Sequence, residues 1–182
     1  DDVSISQLFQ LGNWNIRAVL SGQNCGVLDE ETWPGDTNAD FVVDEYDIIP
    51  IGMYLGEQGC YRQGDAYSWD AQPLPDNWLS ENVARADANG DGIVNIADVL
   101  VILVNWGERT VVASNSSVEQ YISSEDQSIE KYRDNFKLIY QSLSGSSEPE
   151  VSIRNTLEDL FGFSMLPTEF ILEQNYPNPF NT

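Results

Sequence analysis

Residues 87–98 read DANGDGIVNIAD, and the rest of the chain is best understood from this stretch outward. Oxygen-bearing side chains fall at its first, third, fifth, ninth and twelfth positions: Asp87, Asn89, Asp91, Asn95 and Asp98. A loop of this length can wrap its oxygens around a hard cation. Side chains at one, three and five point inward, the backbone carbonyl at seven joins them, nine holds a water, and an acid at twelve closes the shell. Ile93 stands at the carbonyl position. Gly92 stands at six, where the chain turns sharply with a positive φ that glycine adopts without steric cost. Val94 at eight can face a core. Calcium is the ion this set fits. An Asx-rich turn that binds nothing is the competing reading.

The loop has an echo. GDTNADFVVDEYDIIPIGMYLG (35–56) aligns without a gap on ADANGDGIVNIADVLVILVNWG (86–107), at a constant offset of 51 residues from Asp36 to Asp87 and from Asp47 to Asp98. Self-similarity at a fixed offset marks a duplicated supersecondary unit whose copies bury surface against each other. The earlier copy offers Asp36, Asn38, Asp40, the carbonyl of Val42, Asp44 and Asp47. Its departure is Phe41, which stands where the later copy has Gly92. A bulky residue in a left-handed conformation costs about 1–2 kcal/mol. That weakens a site with four carboxylates without abolishing it. Two calcium sites are therefore expected, with the weaker one around Asp36. A vestigial loop kept for packing is the competing reading. Each loop leads into one short helix. Ile48, Ile49, Met53 and Leu55 precede a stop at Gly56; Val99, Leu100, Ile102, Leu103 and Trp106 precede one at Gly107. Pro50 falls in a first turn, where its missing N–H is tolerated. Both helices are apolar nearly all round, so the copies are expected to pack on each other.

Charge narrows the function. Against 30 acidic residues stand 8 basic ones, for a formal charge of −22. Nothing here neutralises a phosphate backbone, which argues against nucleic acid, and the same sign argues against anionic membrane surfaces. The balance suits a chain that recruits cations or works in a salty exterior. With no histidine, most zinc sites, the Ser-His-Asp triad and the commonest general base are lost together. A paired-carboxylate glycosidase is the one enzyme class left, and no acidic pair outside the repeats suits it. No catalytic residue is assigned. Cys25 and Cys60 are too far apart for a C-x-x-C motif. They could form one disulfide in an oxidising compartment, or remain two free thiols. No run of 18 apolar residues is present, so no membrane-inserted helix is expected. The opening DDVSISQLFQ has neither basic nor apolar signal-peptide character, so an exported chain would start after a cleavage site or be part of something longer.

Four regions follow. Residues 1–34 mix alternation with apolar runs; Val3, Ile5, Ile16 and Val19 favour strands, and the segment could end a preceding domain. Residues 35–107 are the repeat module. Its internal excursion carries Tyr61, Tyr67, Trp69 and Trp78 and reads as irregular chain packed over the pair, or alternatively as a sugar-binding platform. Residues 112–163 read as a helical hairpin. The first helix carries Ile129, Tyr132, Phe136, Ile139, Tyr140 and Leu143 between a Ser124 cap and a Gly145 stop. The second runs over 146–162 with Pro149 early, Gly162 at its end and an apolar set of Val151, Ile153, Leu157, Leu160 and Phe161. Residues 164–182 read as an extended linker rich in proline and asparagine.

The two copies resemble dockerin modules, in which a loop–helix unit is duplicated. The resemblance implies the calcium ligands already named, Asp36 to Asp47 and Asp87 to Asp98, and a cohesin partner bound through the helices. The chain departs from the pattern in its long excursion and in Glu45-Tyr46 and Ile96-Ala97 before the closing acids, where cohesin-reading dockerins often carry small hydroxyl residues. The run LEQNYPNPFNT (172–182) is similar to the opening of a type IX secretion C-terminal sorting domain. That resemblance implies handling by the type IX machinery and a secreted or outer-surface location, with the sorting domain itself absent from this chain. The expected fold is mainly α: two paired calcium loop–helix units plus a C-terminal helical hairpin, with short strands and long irregular segments. The expected function is a non-enzymatic, extracellular calcium-binding structural or docking module, partnered by upstream domains of the same or an associated surface protein. The alternatives are an adhesion module that binds a cohesin-like protein, or a subunit of an extracellular assembly.

Overall fold

The computed structural model describes residues 25–110 and 129–164. Within them the fold is mainly α. Strand β1 (Val27–Thr32) pairs antiparallel with β2 (Gln72–Pro75). The helices are α1 (Ile48–Tyr54), α2 (Glu81–Ala86), α3 (Ile96–Val104), α4 (Arg133–Ser142) and α5 (Glu148–Phe161). Short 3₁₀ turns at Glu45–Asp47 and Ile129–Tyr132 lead into α1 and α4. The strand reading of Val3, Ile5, Ile16 and Val19, the Ser124 cap and the sorting-signal run all lie outside the described residues.

The excursion is more ordered than its composition suggests. It contains β2, whose Pro73 and Pro75 lack a backbone donor and so hid the strand; a two-stranded edge tolerates them. It also contains α2, which is only six residues long. The Ser80 hydroxyl accepts from the Val83 N–H at its start. A disulfide joins Cys25 to Cys60, and the Trp78 indole donates to the Cys60 carbonyl at 3.0 Å.

The helical hairpin forms with ends different from those expected. α4 stops at Ser142, because Leu143 is extended, and Gly145 (φ 72°) serves the connecting turn. α5 begins with a capping box between Ser147 and Glu150 and ends at Gly162 in the left-handed conformation. Val151 and Leu160 belong to the outer face, at 43% and 36% exposed, so the buried stripe is Ile153, Leu157 and Phe161.

One cluster of buried side chains links the repeat to the hairpin: Ile48, Ile49, Ile51 and Met53 of α1, Val99 and Ile102 of α3, Phe136 and Ile139 of α4, and Ile153, Leu157 and Phe161 of α5. Gly52 is a point of close approach. A Cβ there would lie 2.1 Å from the Phe136 ring, so only glycine admits the ring. The Asn135 amide donates to the Gly52 carbonyl at 3.0 Å, and Phe136 stacks on Phe161 with centroids 4.7 Å apart.

Candidate metal centre

The two loops have the same local structure. In the first, Asp36 accepts through Oδ1 from the Asp40 N–H (3.1 Å) and through Oδ2 from the Phe41 N–H (3.1 Å). In the second, Asp87 accepts in the same way from Asp91 (2.9 Å) and Gly92 (2.8 Å). The Asn38 and Asn89 side chains accept from Asp40 and Asp91. The closing carboxylates Asp47 and Asp98 accept at Oδ1 from the N–H of Asn38 and Asn89, and at Oδ2 from the N–H of Asp44 and Asn95. Asp40 and Asp91 accept from Val42 and Ile93. Asp44 and Asn95 cap the turns that follow, accepting from Tyr46 and Ala97. Every one of these bonds recurs at the offset of 51 residues. Each acid orients the loop's own amides, and the amides fix each carboxylate in return.

The conformation at position six is left-handed in both copies: φ is 86° at Gly92 and 69° at Phe41. Position four is left-handed as well, with φ 71° at Gly90 and 60° at Ala39. The first loop thus holds two non-glycine residues where the second holds glycines. The Ala39 strain was missed in the sequence, although its alignment with Gly90 signals it. Phe41 has a compensation that no spacing shows. Its ring packs edge-on against Trp33 at 5.7 Å. Thr37 is a further unanticipated member: its N–H donates to Asp47 Oδ1 at 2.8 Å and its hydroxyl to the Asp47 carbonyl.

Each loop is bridged by the exit of the other copy's helix. Val42 pairs with Arg109, and Ile93 with Gln58. Val43 donates to Glu108 and accepts from Gly107, while Val94 donates to Glu57 and accepts from Gly56. The positive φ at Gly56 (95°) and Gly107 (80°) turns the chain from helix into bridge. These contacts sit at positions seven and eight of the loops.

Burial sets the electrostatics. Asp36, Asp47, Asp87 and Asp98 are each at most 2% exposed. Loss of hydration pushes the carboxyls of Asp36, Asp44 and Asp87 up to about 6 and that of Asp98 to about 7, and it raises Asp47 well above the ordinary range. Neighbouring acids add to this: Asp40 on Asp36, and Asp36 and Asp44 on Asp47. Each carboxyl therefore calls for a proton or a cation. Among the described residues, no three His, Cys, Asp or Glu side chains are gathered closely enough to hold a metal by themselves. The loops instead offer carboxylates mixed with asparagine and backbone oxygens. An all-oxygen set with net negative charge fits a hard divalent cation. Asn95 differs from Asp44 in that its amide donates to the Ile93 carbonyl at 2.9 Å, on the oxygen expected at position seven.

Two acidic loops, two exit helices and crossed bridges between them define a duplicated loop–helix module. Residues 34–103, less than half of the chain, match the model of the dockerin type I domain. No curated protein and no solved structure matches the chain.

Proposed function

We propose that residues 35–107 bind two calcium ions and act as a non-enzymatic docking or spacer module in a secreted protein. The observation that carries this is the recurrence of one carboxylate–amide network in both loops, built on buried acids. In the first loop Asp36, Asn38, Asp40, Asp44 and Asp47, with the Val42 carbonyl, would hold the ion. In the second, Asp87, Asn89, Asp91 and Asp98 would do so with the Ile93 carbonyl, and Asn95 through a water. The Cys25–Cys60 disulfide, the acidity and the run at 172–182 support an extracellular setting and passage through the type IX machinery. Among the described residues no helix is long and apolar enough to cross a membrane.

Calorimetric titration tests the reading, with two ions per chain as the expected result; none would overturn it. The site around Asp36 should bind more weakly. Ala39→Gly should tighten it by up to about tenfold, since a relieved left-handed residue is worth about 1–2 kcal/mol. Phe41→Gly should narrow the gap less, because it also loses the Trp33 contact, worth about 0.5–1.5 kcal/mol. If Ala39→Gly leaves the weaker site unchanged, backbone strain is not what separates the two.

A second reading concerns the partner. The two exit helices correspond residue by residue, yet their outer faces differ. Ile49 and Met53 are 1% and 3% exposed in a helix that α4 covers, while their counterparts Leu100 and Val104 are 52% and 59% exposed on α3. This favours a cohesin-like partner docking on α3. Leu100→Asp with Val104→Asp should abolish calcium-dependent binding of cohesin modules without changing the helical circular dichroism. Undiminished binding would sink this assignment.

A further inference from the structure

Arg62 is a buried arginine in the excursion, 7% exposed, and it faces the second loop. Its guanidinium donates to two loop carbonyls, from Nη1 to Asp87 at 3.0 Å and from Nη2 to Ala88 at 2.6 Å. Its own backbone N–H donates to the Gly90 carbonyl at 2.8 Å. The contact is tight: a Cβ at Gly90 would lie 2.9 Å from the Arg62 Cβ. Nε donates to Gln72 Oε1 at 2.7 Å, and the Gln72 amide donates in turn to the Asp65 carbonyl at 2.8 Å, so the side chain is anchored from behind through β2. The first loop is held differently. Among the described residues no cationic side chain donates to the matching carbonyls of Asp36 and Thr37; the chain leading into that loop is held by the neutral Asn105 amide on the Pro34 carbonyl at 2.8 Å.

We infer that Arg62 is a positioning residue that keeps the second loop in its ion-receiving shape before an ion arrives. The planar guanidinium fixes the backbone at the loop's first two residues through a forked pair of bonds. Its positive charge also offsets the nearby acids Asp87 and Asp98 when no ion does. The charge of Arg85 reaches Asp36 in the first loop, but its guanidinium is held by the Glu31 carbonyl and Glu30, so among the described residues that loop has no such fork and depends more on the ion for its order. The excursion that separates the copies is thus part of the site: it clamps the backbone of one loop with a buried guanidinium. This rests on the calcium reading above.

Hydrogen exchange of the full chain, in EDTA and in calcium, tests it. In EDTA the amides of Asn89, Asp91, Gly92 and Asn95 should exchange at least about tenfold more slowly than those of Asn38, Asp40, Phe41 and Asp44. Arg62→Gln should erase that difference while α4 and α5 amides stay protected. Arg62→Lys, which keeps the charge but loses the fork, should fall between. Equal exchange of the two loops in wild type, or a difference that survives Arg62→Gln, overturns the inference. Should Arg62→Gln unfold the chain, Gln72→Ala decides: it removes only the anchor, and unchanged second-loop exchange then counts against the inference. If calcium slows neither loop in wild type, the calcium reading fails, while the comparison in EDTA still judges Arg62.

Discussion

In excess calcium the protein should be far more stable than in chelator, and the gap should widen with pH. An ion that binds only the folded state adds about 4 kcal/mol per site when free calcium exceeds the dissociation constant a thousandfold. Two sites make this the largest effect expected for the molecule. The pH dependence follows from the buried acids. Asp36, Asp44 and Asp87 titrate near 6 and Asp98 near 7, and burial raises Asp47 well above its ordinary value, so all lie above the unfolded value. A carboxyl raised in the folded state favours folding most when protonated. In chelator, stability should be greatest near pH 4 and should fall from there until pH passes 6 to 7, by up to about 1.4 kcal/mol per pH unit for each such group. Calcium needs the ionised form, so its contribution grows over the same window. Thermal melts in calcium and in EDTA should nearly coincide at pH 4 and stand furthest apart above pH 7. Curves that stay parallel across that range would show that these carboxylates do not hold the ion.

Phe136→Ala should be the most damaging single change in the hairpin. The ring is fully buried, fills the notch over Gly52 and stacks on Phe161. Removing such a side chain costs about 3–5 kcal/mol, or roughly a 10 °C lower midpoint for a chain of this size. Gly52→Ala attacks the same contact from the other side by overpacking, at about 1–3 kcal/mol. Because the two changes share one contact, the double variant should fall short of their sum. Calcium stoichiometry should remain two in both single variants, since neither side chain reaches the loops. A Phe136→Ala midpoint within about 2 °C of wild type would mean that the hairpin is not seated on α1.

How much could be read beforehand depended on whether the signal was local. The loops were legible because each acid answers to amides within the same short loop, two to ten residues away, so spacing encodes the structure. The hairpin helices were legible from their apolar spacing and, in the second, from Pro149 and Gly162, although the Ser147 cap went unread and the inward set had to lose Val151 and Leu160. Gly52 could have been taken as a mark of close approach, but the ring it receives lies 84 residues away at Phe136. The crossed bridges, Val42 to Arg109 and Ile93 to Gln58, carry no periodic trace for the same reason. β2 was masked by its prolines and α2 by its length. Arg62 was invisible: one cation in an irregular segment reads as surface until its burial is known.

The disulfide has a mechanical consequence. Cys25 is bonded to Cys60, so the covalent ring encloses Asp36–Asp47 and all of α1. Tension applied between the chain before Cys25 and the chain beyond Thr110 crosses at the sulfurs and bypasses that ring. The second loop and α3 lie directly in the line of load, with the bridges at Arg109 and Gln58 as the fastenings that must shear. Under pull the first copy is a sealed knot that adds no length until it is reduced, and the second copy is the part that yields.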